Sequence, residues 1–284
     1  MSYEEFPVFV PMGEERLCSV ITAPTGDGRD LGAVLLTGGN YTRIHRNRMW
    51  VRAARAVADL GVPSIRVDYH GIGDSTGTAT FNMEAPFDDD AIAAADFLQR
   101  ATGVTRLAVV ATCFGGRSAM AAAARHPDVV SVTIFPVPLL IPAGQGPVPL
   151  RTRVKHVIRR SRLGEALLDR PAIQRARTAA AYRREKPAQI VSPRFKKDLT
   201  SFVRRGAVRF VYGGQEDSTE ELERCLAEVE PRLSPEERAR ITVDVVPDVE
   251  LHRFQRFVEQ DIVVDRAVRS VADALAAQPA AAHS

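Results

Sequence analysis

Leu107-Ala-Val-Val-Ala-Thr-Cys-Phe-Gly-Gly116 is the stretch on which the reading of the fold turns. An apolar run ends in one nucleophilic side chain, Cys113, and a small-residue segment to Arg125 follows at once. This is the pattern of a strand turning sharply into a helix, with the thiol at the turn. So tight a turn forces unfavourable backbone angles on the nucleophile and needs small neighbours two residues away on each side, here Ala111 and Gly115. The N-terminus of the following helix would offer free N–H groups and a dipole that favour the thiolate. A buried, inert cysteine is the commoner fate of a free thiol, so the six residues from Ala111 to Gly116 alone leave both readings open.

Outward from this junction the alternation continues. Phe6–Val10 and Leu17–Ala23 read as short strands around Met12-Gly13-Glu14. Gly32–Thr37 has the continuous apolar run of a strand buried on both faces and ends in Gly38-Gly39-Asn40. Met49–Leu60 places Trp50, Ala53, Ala54, Val57 and Leu60 on one helical stripe, which Gly61 stops. Ser64–Asp68 is a strand, His70–Gly77 a Gly-rich loop, and Phe87–Arg100 a helix capped near Asp88 to Asp90. Beyond Arg125 follow strands at Val129–Phe135, Val208–Tyr212 and Arg240–Val246, with helices at Thr219–Glu230 and Phe254–Leu275. Strands alternating with helices imply an α/β domain with a mostly parallel central sheet flanked by helices on both faces.

The segment between Val137 and Gly206 breaks the alternation. It carries no strand signal and looks helical over Val154–Leu168 and Ala172–Tyr182. It also holds 17 Lys and Arg against 4 Asp and Glu, whereas the rest of the chain holds 21 against 31. Residues 137–205 therefore read as a basic helical insertion into a core of residues 1–136 and 206–277, with residues 278–284 as a tail. Such a charge attracts anionic partners, although many of these arginines belong to an ordinary solvated face. Few aromatics accompany them, so nucleic acid is not expected. Val154–Leu168 is basic and amphipathic, but membrane contact is the weaker reading of it.

The 284 residues, 45% of them hydrophobic, suffice for one large α/β domain. No apolar run of about 18 residues occurs, and the acidic start Met1-Ser-Tyr-Glu-Glu lacks the zones of a signal peptide, so a cytoplasmic protein is expected. Cys18, Cys113 and Cys225 are too few and too far apart for a disulfide framework or a thiolate metal site. Neither a metal nor another cofactor is expected.

A cysteine nucleophile needs a base and an acid that orients it. His252 follows the last strand, and Asp217 follows the strand after the basic segment, with Glu216 as the alternative acid. The oxyanion donors would be the N–H of Phe114 and an N–H of the loop after Thr37, Gly39 first and Asn40 second. His70, His126, His156 and His283 lie outside this order. His45, in the loop beside the oxyanion donors, reads as a solvated loop histidine.

The succession Leu36-Thr-Gly-Gly-Asn40, Asp68-Tyr-His-Gly-Ile-Gly-Asp-Ser75, Ala111-Thr-Cys-Phe-Gly115, Gly213-Gly-Gln-Glu-Asp217 and Glu250-Leu-His252 resembles the α/β-hydrolase superfamily over nearly the whole chain. In spacing it looks like the exosortase-A-system-associated hydrolase group, with a Gly-Gly loop, two arginines and an Asp-Tyr-x-Gly-x-Gly-Asp-Ser stretch. That resemblance makes Arg43 and Arg48, with Asn40, candidate substrate-binding residues. Thr37 stands where many members carry His, and Ala111 where most carry Gly. A cysteine at the elbow is also a feature of dienelactone hydrolases, which the chain resembles less. The resemblance implies the α/β-hydrolase fold with a cap over the site and a Cys113–His252–Asp217 triad.

A sulfur nucleophile exchanges readily with thioesters, where attacking and leaving atoms are alike. The expected activity is therefore acyl transfer or thioester hydrolysis through an acyl-Cys113 intermediate, in specialised metabolism. The donor would be bound to coenzyme A or to an acidic acyl carrier protein docked on the basic cap. A small-molecule esterase or lactonase with the same triad is the alternative, and a non-catalytic binding protein on this fold is the third reading.

Overall fold

The computed structural model describes residues 2–26, 28–39, 41–143, 188–216 and 218–277. The chain opens as a long antiparallel hairpin, β1 (Tyr3–Met12) and β2 (Glu15–Pro24), turned at Gly13 with φ 60°. Both strands outrun the expected spans. Cross-strand hydrogen bonds extend a hairpin wherever the backbone can pair, whether or not the side chains alternate in polarity.

Next come β3 (Leu31–Leu36), α1 (Met49–Ala58), β4 (Ser64–Val67), α2 (Asp88–Thr102), β5 (Arg106–Ala111), α3 (Phe114–Arg125) and β6 (Val129–Ile134). Asp88, Asp89 and Asp90 sit in the first turn of α2, where they complement its dipole. They do not cap it, because the N-cap residue is Phe87. Two short strands, β7 (Leu140–Pro142) and β8 (Gln189–Val191), pair with each other in a separate antiparallel ribbon. The chain ends with α4 (Pro193–Phe202), β9 (Ala207–Gly213), α5 (Ser218–Val229), α6 (Pro235–Ala239), β10 (Ile241–Val246) and α7 (Phe257–Ala276).

The main sheet has eight strands in the order β1-β2-β4-β3-β5-β6-β9-β10. Only the β1–β2 and β2–β4 pairings are antiparallel. Leu36 lies opposite Ala111, Ala111 opposite Ile134, and Val246 opposite Gly213. The loops after β3, β5, β9 and β10 therefore leave the sheet at one end, the end where open α/β sheets bind ligands. Behind β3 and β5, Trp50 of α1 is fully buried with Leu35, Phe135, Val211 and the apolar stripe of α7. Its indole Nε1–H donates to the Leu36 carbonyl at 3.2 Å, so this large side chain is buried without an orphaned donor.

Two compact units divide the chain: Met1–Leu139 with Pro193–Ser284, and Leu140–Ser192. In the second unit the described residues form the β7–β8 ribbon, which Ala143 N–H extends with a bond to the Ala188 carbonyl at 2.6 Å. The ribbon corrects the expectation of a strand-free insertion, since three-residue strands are too short to show a period. The separate unit is also shorter than the 137–205 expected. Helix α4 belongs to the first unit, burying Phe195, Leu199 and Phe202. Arg205 just beyond it donates to the Ala123 and His126 carbonyls at the end of α3. The helices expected at Val154–Leu168 and Ala172–Tyr182, and the tail 278–284, lie outside the described residues.

Candidate active site

Helix α3 begins one residue after Cys113, which serves as its N-cap with φ 51° and ψ −130°. A side chain held at such angles costs roughly 1–3 kcal/mol and persists only where its surroundings enforce it. The enforcement is visible. Gly116 N–H donates to the Cys113 carbonyl at 2.9 Å, and Thr112 N–H to the Leu36 carbonyl at 3.2 Å. A Cβ on Gly115 would lie 2.3 Å from the Thr37 carbonyl oxygen, and one on Gly38 would lie 3.0 Å from the Cys113 Cβ. Ala111, on the other side of the elbow, is accommodated with no exposed surface.

Cys113 is half-buried, and burial pushes its thiol pKa up; the Phe114 N–H facing the sulfur offsets this only in part. Desolvation thus outweighs this hydrogen bond. A nucleophile of this kind needs a base. Cys18 and Cys225 are buried, and burial pushes the Cys225 thiol up to about 12. Iodoacetamide should therefore modify Cys113 before the other two in native protein, at a rate still rising at pH 9, and all three in denaturant. Peptide mass mapping over time checks this, and equal labelling of the three would contradict the described burial.

In the loop after β3, where Gly38 lies against Cys113, the Gly39 N–H has no backbone acceptor among the described residues, which suits an oxyanion donor. A Cβ on Gly39 would fall 2.1 Å from the ring of the half-exposed Phe81, so a larger residue there would displace that ring. Phe81, Phe87 and Phe114 meet edge to face at centroid distances of 5.4 to 5.8 Å, forming an apolar cluster next to the Phe114 donor. Asn40 lies outside the described residues.

The loops after β9 and β10 are stitched together. Gly214 N–H donates to Val246 at 2.8 Å and Gln215 N–H to Val249 at 3.1 Å. Glu216 is buried, its carboxylate accepting from the Leu251 N–H and, at 3.1 Å, from the Ser218 hydroxyl. Burial raises the Glu216 pKa, partly offset by the Leu251 N–H. Glu216 thereby fixes the loop that carries His252. The His252 imidazole is more than half exposed, with Nδ1 3.4 Å from Glu250, which also pairs with Arg253. No hydrogen bond joins His252 to Cys113 among the described residues. Asp217, the expected orienting acid, lies outside them. Glu250 was legible only as part of the Glu250-Leu-His252 motif, because nothing in a spacing of two reveals that its carboxylate turns back to the imidazole.

The two arginines part company. Arg43 is tied to the buried Asp68 and, at 2.9 Å, to Asp74. Cys18, Asp68 and Asp74 hold ligand-type atoms within 4.8 Å of one another, but the Arg43 guanidinium already supplies the positive charge there. Arg48 is exposed, with no ion pair among the described residues, and adopts left-handed angles at the start of α1. Two other histidines are paired with carboxylates: His70 Nδ1 lies 2.8 Å from the buried Asp90, and His126 Nε2 lies 3.0 Å from Asp96. His45 is a correction. It is 4% exposed rather than solvated, with Nε2 3.3 Å from the Thr112 hydroxyl.

A cavity of about 580 Å³ lies elsewhere, at the opposite ends of β6, β9 and β10. It is lined in part by Arg106, Arg205 and Arg240, each of which donates to a backbone carbonyl. Side-chain chemistry rather than cavity size therefore locates the site.

A family model described as the alpha/beta hydrolase fold matches residues 33–139, from β3 through the Cys113 elbow to the end of the first unit's opening segment. Together with the sheet order and the strained elbow, this decides the architecture. The chain has the α/β-hydrolase fold. Solved structures agree over 94% to 95% of its length. An esterase of Pyrococcus furiosus is 13% identical with a TM-score of 0.63, covering 95% of this chain and 93% of its own. A dienelactone hydrolase of Anabaena variabilis is 15% identical with a TM-score of 0.60, over 94% and 96%. An alpha-beta serine hydrolase homologue of Coxiella burnetii is 14% identical with a TM-score of 0.57, over 95% and 98%. At these identities the likeness establishes the α/β-hydrolase fold alone. No curated protein matches the sequence significantly. No described helix is long and apolar enough to cross a membrane.

Proposed function

We propose that this α/β-hydrolase-fold chain is an acyl-transfer enzyme that works through a thioester on Cys113. The observation that carries this reading is the thiol at φ 51° on the β5–α3 turn, faced by the Phe114 N–H. In the proposed cycle, with a carboxylate at Nδ1, the His252 Nε2 takes the thiol proton. The sulfur then attacks the acyl carbonyl carbon, and the oxyanion accepts hydrogen bonds from the Phe114 and Gly39 N–H groups. Collapse of the tetrahedral intermediate expels the donor thiol, which receives its proton from the imidazolium. Water or an acceptor nucleophile, deprotonated by His252, then attacks the acyl-Cys113 carbonyl, and collapse expels the Cys113 sulfur, which takes back its proton from the imidazolium. Asp217 is the proposed orienting acid, with Glu216 as the alternative.

The raised thiol pKa fits a nucleophile that is activated only when its base is engaged. Thioester donors suit sulfur, and the 17 Lys and Arg between Val137 and Gly206 suit the phosphates of coenzyme A or an acidic carrier protein. Arg48, exposed beside the β3 loop, is the arginine left to meet such a donor, since Arg43 is engaged by Asp68 and Asp74. The fold likeness to a dienelactone hydrolase and an esterase favours a second reading, hydrolysis of a small ester or lactone by the same residues.

Intact-protein mass spectrometry after incubation with acyl thioesters and activated esters tests both readings, comparing wild type with Cys113→Ala. An acyl adduct on wild type alone is expected, with thioesters the better donors and with carrier-protein binding that weakens as salt rises. Preference for esters or lactones would favour the second reading. No adduct and no turnover with any donor, in folded protein, would leave a non-catalytic binding role.

A further inference from the structure

Six non-glycine residues have positive φ among the described residues: His45, Asn47, Arg48, Cys113, Asp248 and Phe254. All six lie in the loops after β3, β5 and β10, which are the loops that carry the proposed oxyanion donor, nucleophile and base. His45 is the extreme case. Its φ of 57° and ψ of 177° fall in a region that essentially only glycine occupies.

What holds it there is its ring. The imidazole stacks on Tyr41 at 4.4 Å and meets Trp50 and Phe254 edge to face at 5.7 and 5.2 Å. Nδ1 accepts the Arg46 N–H at 2.8 Å. The neutral ring therefore carries its proton on Nε2, which donates to the Thr112 hydroxyl. Thr112 precedes the nucleophile, and Phe254 lies two residues beyond His252. One buried ring thus touches all three loops, and it is more exacting than an apolar plug because both nitrogens are used.

We propose that His45 is a positioning residue that locks the oxyanion loop, the Cys113 elbow and the His252 loop in register. This deepens the acyl-transfer reading and rests on Cys113 being the nucleophile. It predicts opposite effects on two reactions of one thiol. Without the ring the elbow should loosen and become more accessible, so alkylation should rise. Acyl transfer, which needs the thiol and the oxyanion donors aligned, should fall.

His45→Gly is the direct test, because glycine accepts the backbone angles without strain and the fold should survive. Asn47→Gly is the control: it relieves a positive φ in the same loop without touching the ring. For His45→Gly, iodoacetamide should modify Cys113 several-fold faster than in wild type, while acylation from an activated donor falls by about tenfold or more. Asn47→Gly should leave both rates at the wild-type values, and added imidazole should restore acylation to the His45→Gly protein. Unchanged alkylation in His45→Gly, or an equal change in both variants, would overturn the proposal. If wild type itself accepts no acyl group, the reading of Cys113 as nucleophile fails, and the alkylation rates still decide the role of His45.

Discussion

Gly115→Ala should destabilise the protein by about 3 kcal/mol, although the substitution lies in the first turn of a helix. Helix propensity alone argues the other way, since alanine is favoured over glycine by about 1 kcal/mol in a helix interior. The close approach decides the sign. The added methyl would sit 2.3 Å from the Thr37 carbonyl oxygen and 3.2 Å from that of Leu36, both backbone atoms at the end of β3. Backbone cannot rotate aside as a side-chain tip can, so the β3 loop or α3 must shift. Urea unfolding should place Gly115→Ala well below wild type. Equal stabilities would mean that the elbow is not held against β3 as described. The same shift would displace Gly39, the proposed oxyanion donor, so on the acyl-transfer reading Gly115→Ala should also lose acylation even where it remains folded.

The second large effect is on acid stability. Burial holds the His45 pKa at about 3, with the charge of Arg46 adding to the same effect, against an ordinary value of 6.5. The folded protein therefore keeps the ring neutral while the unfolded chain protonates it. The stabilisation is fully present above pH 6.5 and is lost as pH falls toward 3, at about 1.4 kcal/mol per unit. Between pH 7 and pH 4 wild type should lose about 3 kcal/mol more than His45→Gly. Carboxylates such as Glu5 and Glu259, whose pKa values are also lowered, contribute to both proteins alike and cancel in the comparison. Parallel pH profiles for the two proteins would show that the ring is not buried as a neutral group.

Much of the architecture was legible because the signals were local. Apolar runs at Gly32–Thr37 and Leu107–Ala111, each followed by a small-residue or Gly-rich turn, marked the two strands that frame the site, and β3 and β5 pair directly. The helical stripe of Met49–Leu60 is the one that buries Trp50. The elbow was legible for the same reason: a strand, one cysteine, and a small residue where a Cβ would strike Thr37.

The errors have physical causes too. β7 and β8 are three residues each, and their pairing joins Leu140 to Val191 across 50 intervening positions, beyond the reach of any local pattern. His45 looked solvated because its neighbours Arg46, Asn47 and Arg48 are polar and exposed. Its burial comes from Trp50 and Phe254, residues on separate elements that enclose it only when α1 and the β10 loop come together. Arg43 looked free to meet a substrate until Asp68, 25 positions away, proved to hold it.

The sequence by itself thus determined the alternation of strands and helices, the place of Cys113 at a strand-to-helix turn, and the order in which His252 and the acidic residues follow it. These are properties of spacing and residue type, and short-range sterics suffice to specify them. Only the tertiary structure decided the state of each group. Burial sets the Cys113 thiol above its ordinary pKa, Glu216 anchors the His252 loop through Leu251, and a histidine in glycine-like backbone joins three loops. Desolvation and packing depend on what distant parts of the chain bring to a point, and a linear pattern does not contain that information.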